Sequence, residues 1–342
     1  MDAADRSSWT GPDLQEIEQA RDFLADHLIV TPTVPLTSER IRSRLPERAT
    51  VTAKLELFQQ AGSFKARGAL LSIQALTAEE RRRGIVTASA GNHALAVSWA
   101  AKHAGVAATV VMPKSADPSR VEECKHLGAS VVFAEDIMSV FARMDQLVEE
   151  DGLVPVHPYE GRRMTLGAAT CGLELIRQAP DLDVVVVPIG GGGLIGGIAS
   201  GVQQISPACQ VIGVEPMGAD LLCKSLAADQ PVSLEKVSTI ADSLGAPVSL
   251  PISFGIVKAR VDKVVRVTDD QLLQSMALLY DALKLAPEPA CAASLAAVCG
   301  PLRDEMVGKR VGIVACGSNI AESRMANFVS QGRALLASNP VV

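Results

Sequence analysis

Short runs of β-branched residues alternate with amphipathic stretches along most of this chain, and this alternation restricts the fold more than any other feature. The pattern predicts strands at residues 51–55, 85–88, 108–112, 130–133, 184–189, 210–214, 264–267 and 311–315. Helical patterns separate nearly all of them, among them 66–76, 94–104, 120–127, 195–205 and 270–285. Because strands joined by helices pair mostly in parallel and are covered on both faces, we predict an α/β architecture.

Composition limits the partners and the compartment. A chain of 342 residues that is 48% hydrophobic can bury a large core and divide into two lobes. Its net charge of −6 disfavours nucleic acid, because no basic stripe is available to neutralise phosphates. Seven cysteines without a C-x-x-C pair indicate reduced thiols rather than disulfides or a zinc cluster. With no apolar stretch typical of a signal peptide or a membrane span, we expect a soluble cytoplasmic protein without a membrane partner.

Lys65, at the start of a predicted helix, is a candidate nucleophile. It follows a turn at Gly62 and Ser63, and Phe64 covers this turn. The positive end of the helix dipole and the nearby charge of Arg67 both favour the neutral amine that Schiff-base chemistry requires. Considered alone, a lysine is more often a solvated surface residue, so other motifs must decide its role.

The chain contains four consecutive glycines, Gly190, Gly191, Gly192 and Gly193. They lie between a continuous apolar strand and a helical run, where backbone N–H groups can converge on a phosphate. Together with Gly196 they also spell G-x-G-x-x-G, and Glu215 ends the next strand, which is the dinucleotide fingerprint. A nicotinamide-dependent oxidoreductase is therefore an alternative, and a glycine-rich packing turn is a third interpretation.

A second anion-binding loop is predicted where another strand ends and a helix begins. This loop consists of Ser89, Ala90, Gly91, Asn92 and His93. A histidine packed at the helix start is as good an interpretation of His93 as a functional role, because the loop backbone can bind a carboxylate without it.

These blocks, together with a C-terminal one, resemble pyridoxal-phosphate enzymes of the tryptophan-synthase-β superfamily, in particular the threonine and serine dehydratases. The four blocks are GSFKARGA, TASAGNHALA, PIGGGGLIGG and VACGSNI, in the order found in that family. The resemblance implies the two-lobed fold type II, with each lobe a mostly parallel sheet flanked by helices. Residues 1–83 and 160–342 would form the large lobe, with 84–159 inserted as the small lobe. A homodimer without a C-terminal regulatory domain is the expectation.

The resemblance implies pyridoxal 5'-phosphate as the cofactor. It assigns the cofactor contacts to Phe64, Lys65, Asn92, Gly190, Gly191, Gly192, Gly193 and Cys316. It assigns the substrate contacts to Ser89, Ala90, Gly91, Asn92 and His93. Lys65 would be the catalytic residue that joins the cofactor, Asn92 would hydrogen-bond its ring oxygen, and Cys316 would face its pyridine nitrogen. A neutral thiol does not hold that nitrogen protonated, which weakens the electron sink and favours rapid elimination.

The implied activity is the dehydration and deamination of a small β-hydroxy amino acid, L-threonine or L-serine, to a 2-oxo acid and ammonia. A dehydratase of another substrate, such as 3-hydroxyaspartate, stays open, since Arg162 and Arg163 could accept a second carboxylate, although a solvated helix start explains them better. An amino acid racemase also stays open. Racemisation needs an acid–base group on each face of the carbanion, and the serine of serine racemases aligns with Ala90, so we expect elimination.

We expect no metal site. Some members of the family bind a divalent cation just after the GVEP segment, where Glu215 and Ala219 match the first two ligand positions and Leu221 occupies the third. A strand-end carboxylate at Glu215 and a solvated carboxylate at Asp220 are the better interpretation.

Overall fold

The computed structural model describes residues 9–136 and 139–338. The strands are β1 (Thr33–Pro35), β2 (Thr50–Lys54), β3 (Ile85–Ala88), β4 (Ala108–Pro113), β5 (Ser130–Ala134), β6 (Val154–Pro155), β7 (Val184–Pro188), β8 (Gln210–Pro216), β9 (Lys263–Val267) and β10 (Arg310–Val314). The helices are α1 (Leu14–Ala25), α2 (Glu39–Arg42), α3 (Lys65–Gln74), α4 (Ala78–Arg83), α5 (Asn92–Ala104), α6 (Pro118–His126), α7 (Ser139–Asp151), α8 (Arg162–Gln178), α9 (Gly193–Ile205), α10 (Leu221–Ala227), α11 (Pro251–Arg260), α12 (Asp269–Leu283), α13 (Pro289–Cys299) and α14 (Glu322–Ser338).

The strands form two sheets. One sheet has six strands in the order β1-β2-β10-β7-β8-β9, and only the pair β1 and β2 is antiparallel. The other has four parallel strands in the order β5-β4-β3-β6. The predicted α/β architecture with mostly parallel sheets is confirmed. No helix in the described ranges has both the length and the apolar character needed to cross a bilayer.

All the strands predicted from the sequence are present, and their bounds differ from the prediction by at most two residues. The sequence pattern did not predict β1 and β6. These strands lie at sheet edges, have only three and two residues, and end in Pro35 and Pro155. Such short proline-ended strands carry no periodic pattern, and proline is tolerated at an edge because no donor is needed there.

The central strand β7 has a core position in the large sheet, and its valines are fully buried. Helix α9, which follows it, lies directly against α8. A Cβ atom at Gly197 or Gly201 would collide with the backbone of α8 at Thr165 and Ala169, so these glycines permit the close approach. This packing places the glycine loop before α9 next to the start of α8.

The four-stranded sheet is built from residues between 85 and 155, and the six-stranded sheet from the segments on either side. The apolar core on one face of the smaller sheet is nevertheless shared with helices outside this range. It joins Ile85 and Val97 to Ile17 of α1, Ile73 of α3 and Leu173 of α8. The lobe boundaries at 84 and 159 stay a prediction, and the packing is continuous across them.

A buried ion network ties the start of α3 to the large sheet. Arg67 pairs with Glu56 at 2.8 Å and with Glu174 of α8 at 2.7 Å, and Lys54 of β2 pairs with Glu174 at 2.7 Å. Thr31 accepts a further hydrogen bond from Lys54 through its carbonyl group. These side chains are at most 6% exposed, and the two positive and two negative charges balance.

Replacing Arg67 with methionine should strongly destabilise the protein. The substitution leaves two carboxylates buried with one cation, and breaking a buried ion pair from one side costs about 3–5 kcal/mol. Urea unfolding would measure the free energy. Arg310→Met is the matched control, because Arg310 pairs with Asp183 at the surface and its loss should change stability little. Equal effects of the two substitutions would show that the buried network contributes no special stability.

Candidate active site

A cleft of about 390 Å³ opens at the carboxyl ends of β3, β6 and β7 and beside the loop that follows β10. Every residue for which the sequence predicted a cofactor or substrate contact lines it, namely Phe64, Lys65, Ser89, Ala90, Gly91, Asn92, His93, Gly190, Gly191, Gly192, Gly193 and Cys316. Within each sheet the carboxyl ends of the parallel strands meet at one edge, and segments that follow strands of both sheets line the cleft together.

The turn before Lys65 is attached to the C-terminal block by backbone contacts. Phe64 N donates to Cys316 O at 3.2 Å, and Ser318 N donates to Gly62 O at 2.9 Å. The two segments follow neighbouring parallel strands, β2 and β10. Lys65 then begins α3, as the sequence predicted.

The amine of Lys65 lies inside the cleft and contacts Pro158 O. Burial lowers the pKa of Lys65 to about 8, against an opposing contribution from Cys316. The predicted direction of this shift is therefore confirmed, but the predicted contribution of Arg67 is wrong. The Arg67 guanidinium is engaged by Glu56 and Glu174, and desolvation is the physical cause of the lowered pKa.

The glycine loop is confined by an aromatic residue that the sequence analysis did not select. A Cβ atom at Gly191 would collide with the ring of Tyr159, and one at Gly193 would lie 2.6 Å from Tyr159 O. Gly192 has a φ of +94°, a conformation that favours glycine. The hydroxyl of Tyr159 donates to Val248 O at 2.9 Å, which fixes the ring. The glycines thus pack against Tyr159 and also leave the first N–H groups of α9 facing the cleft edge.

The loop between β3 and α5 places its backbone along the cleft. Gly91 N donates to Ser89 Oγ at 3.2 Å, and Arg120 donates to Ala90 O at 3.3 Å. His93 is buried, with its Nε2 3.0 Å from Val156 O. Burial, with a further contribution from Lys65, holds the pKa of His93 well below its usual range. His93 is therefore a neutral, packed histidine that also lines the cleft.

Asn92 and Cys316 lie on two different loops of the cleft. Asn92 Nδ2 donates to Glu288 Oε1 at 2.6 Å, and Asn92 Oδ1 accepts from Asn319 Nδ2 at 2.6 Å. Cys316 is 2% exposed, and burial raises the pKa of its thiol well above the usual range. The thiol is therefore neutral, as its predicted position beside a pyridine nitrogen requires.

Several residues of the cleft escaped the sequence analysis. Glu288, Arg120, Asp242, Tyr159 and Phe141 all line it. Burial raises the pKa of Glu288 to about 7, and Arg120 pairs with Asp242 at 2.7 Å. For Tyr159, Asp242 and Glu288 a signal existed, because the segments HPYEG, TIADSLGAP and EPACAAS that contain them also resemble segments of the dehydratases. Arg120 and Phe141 lie outside these segments.

The dinucleotide alternative depends on Glu215, which lies outside the cleft. Glu215 accepts hydrogen bonds from Leu222 N at 2.7 Å and Cys223 N at 2.9 Å, so its carboxylate satisfies the start of α10. Burial raises its pKa to about 7. Asp220 pairs with Lys224 at 2.8 Å. Because these contacts engage Glu215, the glycine-rich fingerprint lacks the acidic residue that would bind a ribose hydroxyl of a dinucleotide.

Arg162 and Arg163 do not line the cleft. Both are exposed at the start of α8, and Arg162 stacks on the ring of Trp9 with 4.8 Å between the guanidinium carbon and the ring centroid. The suggested role of these arginines in binding a second substrate carboxylate is therefore wrong.

The family model of pyridoxal-phosphate dependent enzymes matches residues 24–317. The chain belongs to this family. It is 44% identical to phenylserine dehydratase of Ralstonia pickettii, covering 94% of this chain and 98% of that protein. It is 34% identical to a catabolic L-threonine dehydratase of Escherichia coli, with 92% and 95% covered. The structure of maize serine racemase matches with a TM-score of 0.86 and 34% identity, covering 94% of this chain and 99% of that one.

The cleft residues fit pyridoxal phosphate. Lys65 supplies an amine whose lowered pKa suits covalent attachment, and the glycine loop at the start of α9 suits a phosphate. The neutral Cys316 thiol suits an unprotonated ring nitrogen. These roles follow from the chemistry of the side chains and the backbone.

The reaction of this family member with its cofactor should depend on pH through Lys65. Because the neutral amine reacts, the rate at which apoenzyme takes up pyridoxal phosphate should rise about tenfold per pH unit below 8 and level off above it. Stopped-flow absorbance between pH 6 and 9 measures this rate. Borohydride reduction and peptide mapping should place the label on Lys65.

Lys54 provides an internal control for the label. It is also buried, but its amine is engaged by Glu174 and by Thr31 O and does not line the cleft, so it should stay unlabelled. Labelling elsewhere than Lys65, or a midpoint near the usual lysine pKa, would contradict the assignment.

Proposed function

We propose that this enzyme dehydrates and deaminates a β-hydroxy amino acid that carries an uncharged, bulky side chain, giving a 2-oxo acid and ammonia. The observation that carries the proposal is that Lys65 and Ala90 line the same cleft. The resemblance aligns Ala90 with a serine of the serine racemases, and the methyl group of Ala90 offers no ionisable group. Membership of the dehydratase family and the identity to phenylserine dehydratase support it.

Each part of the cleft has a role in this reaction. Bound pyridoxal phosphate supplies the electron sink that stabilises negative charge at Cα. Lys65 removes the Cα proton as a general base, since its pKa of about 8 lies near neutral pH. The glycine loop holds the phosphate, and the backbone of residues 89–93 holds the substrate carboxylate.

The walls of the cleft favour a 3-phenylserine-like substrate over L-threonine or L-serine. Val140, Phe141, Val237 and Leu244 line the cleft together with Tyr159. Phe141 stacks on His157, with ring centroids 5.7 Å apart, and His157 contacts Tyr159 edge-on. A β-phenyl group can pack on these surfaces, whereas the methyl group of threonine covers little of them.

L-Threonine and L-serine are the smaller candidates, supported by the identity to the threonine dehydratase. 3-Hydroxyaspartate is less well supported, because Arg120 in the cleft already pairs with Asp242 at 2.7 Å.

We further propose a cytoplasmic homodimer, supported by the absence of paired cysteine motifs and by the family resemblance.

A substrate panel tests the proposal. Release of 2-oxo acid from L-threo-3-phenylserine, L-threonine, L-serine and 3-hydroxyaspartate should rank in that order by kcat/KM. Burying a phenyl group in place of a methyl group is worth about 2 kcal/mol, or roughly thirtyfold.

Phe141→Ala should lower kcat/KM for phenylserine and leave that for serine nearly unchanged. A preference of the unmodified enzyme for serine would reject the bulky-substrate part of the proposal. No 2-oxo acid from any of these substrates would reject the dehydratase assignment itself.

Elimination rather than racemisation should be the outcome with L-serine. The methyl group of Ala90 cannot return a proton to the face opposite Lys65. L-Serine should therefore yield pyruvate with little D-serine, and Ala90→Ser should raise the fraction of D-serine. Chiral chromatography measures both products, and Ala90→Gly serves as the control that adds no hydroxyl. Abundant D-serine from the unmodified enzyme would defeat this expectation.

A further inference from the structure

Glu288 is a fully buried carboxyl group in the cleft with no assigned role. It precedes α13 and is not exposed to solvent. Glu288 occupies the N-cap position of α13, but its side chain makes no capping hydrogen bond to that helix. Instead its Oε1 accepts the hydrogen bond from Asn92 Nδ2 at 2.6 Å.

That hydrogen bond ends a chain of three polar side chains. Asn319 Nδ2 donates to Ala61 O at 2.8 Å and to Asn92 Oδ1 at 2.6 Å, and Asn92 Nδ2 donates to Glu288. A backbone carbonyl can only accept. Both hydrogens of Asn319 Nδ2 are thus used, and Asn92 must present its oxygen to Asn319 and its nitrogen to Glu288.

The chain leaves one hydrogen of Asn92 Nδ2 available. A further contact of Asn92 Nδ2, to Ser243 Oγ, is long at 3.4 Å. Because the first hydrogen points at Glu288, the direction of the second is determined by the planar amide. This hydrogen belongs to the residue that the family resemblance places beside the ring oxygen of the cofactor.

We propose that Glu288 is a positioning residue, which holds the Asn92 amide so that its remaining N–H faces the ring oxygen of pyridoxal phosphate. The inference rests on the proposed cofactor site. Without Glu288, the Asn92 amide loses one of its two anchors and is held only through its oxygen by Asn319, so the direction of its N–H groups is less restricted. A group that acts only by filling space would have no such effect on Asn92.

A double-mutant cycle tests this relationship. Asn92→Ala should weaken binding of pyridoxal phosphate about tenfold, because it removes a hydrogen bond to a charged or polar ring oxygen. Glu288→Met should cause a similar loss. If Glu288 acts through Asn92, the double variant should lose no more than about tenfold, whereas independent roles would give about a hundredfold.

The cycle is read from the dissociation constant of pyridoxal phosphate and from the absorbance maximum of the bound cofactor. Glu288→Gln should restore both nearly to those of the unmodified enzyme, since its amide oxygen can accept from Asn92. Glu215→Met is the control for loss of a buried glutamate outside the cleft. It should leave both the dissociation constant and the absorbance maximum unchanged. If the Glu288→Met variant does not fold, Glu288→Asp replaces it in the cycle, because the shorter side chain withdraws the carboxylate from Asn92.

Additive losses in the double variant, or a Glu288→Met variant with normal cofactor affinity and absorbance, would overturn the inference. These outcomes differ from failure of the proposed function. In that case the unmodified enzyme would release no 2-oxo acid from the substrate panel, while the dissociation constant of pyridoxal phosphate would still be measurable in every variant.

Discussion

The buried ion network around Arg67 determines where the reactive lysine lies. Arg67 and Lys65 share the first turn of α3, so fixing the guanidinium between Glu56 and Glu174 fixes the start of the helix. Burying four charges is costly, and the network offsets this cost only because every charge has a partner. The directional ion pairs favour one position of the helix start, and this position determines where Lys65 lies.

The second constraint is the order of strands in the large sheet, which brings segments that are distant in sequence close together in space. β2 and β10 are adjacent and parallel, with Lys54 opposite Val314, so the segments that follow them meet at one edge of the sheet. Backbone hydrogen bonds then join Phe64 to Cys316. β7 is the next strand and delivers the glycine loop to the same edge. The cleft is therefore a property of the topology, and its side chains could differ without moving it.

Much of this was predictable from the sequence, for physical reasons. Continuous β-branched runs such as the valines of β7 identify buried parallel strands, and glycines at a strand end identify a loop that must approach another group closely. The role of Tyr159 was not predictable, because its fit against Gly191 depends on packing between segments distant in sequence. The cause of the Lys65 pKa shift was missed for the same reason. Proximity in sequence suggested Arg67, but the fold turns that charge toward Glu174.

The ionisable groups around the cleft are either paired or have pKa values shifted toward their neutral forms. Burial lowers the pKa of Lys65 to about 8 and that of His157 to about 4, and it raises that of Glu288 to about 7. Arg120 is neutralised by Asp242. The negative charges of a phosphate and of a substrate carboxylate must then be balanced by backbone N–H groups and helix starts, which are fixed in number. A second carboxylate on the substrate side chain would have no such partner. An uncharged β-substituent needs none, and this difference supports the uncharged substrate that we propose.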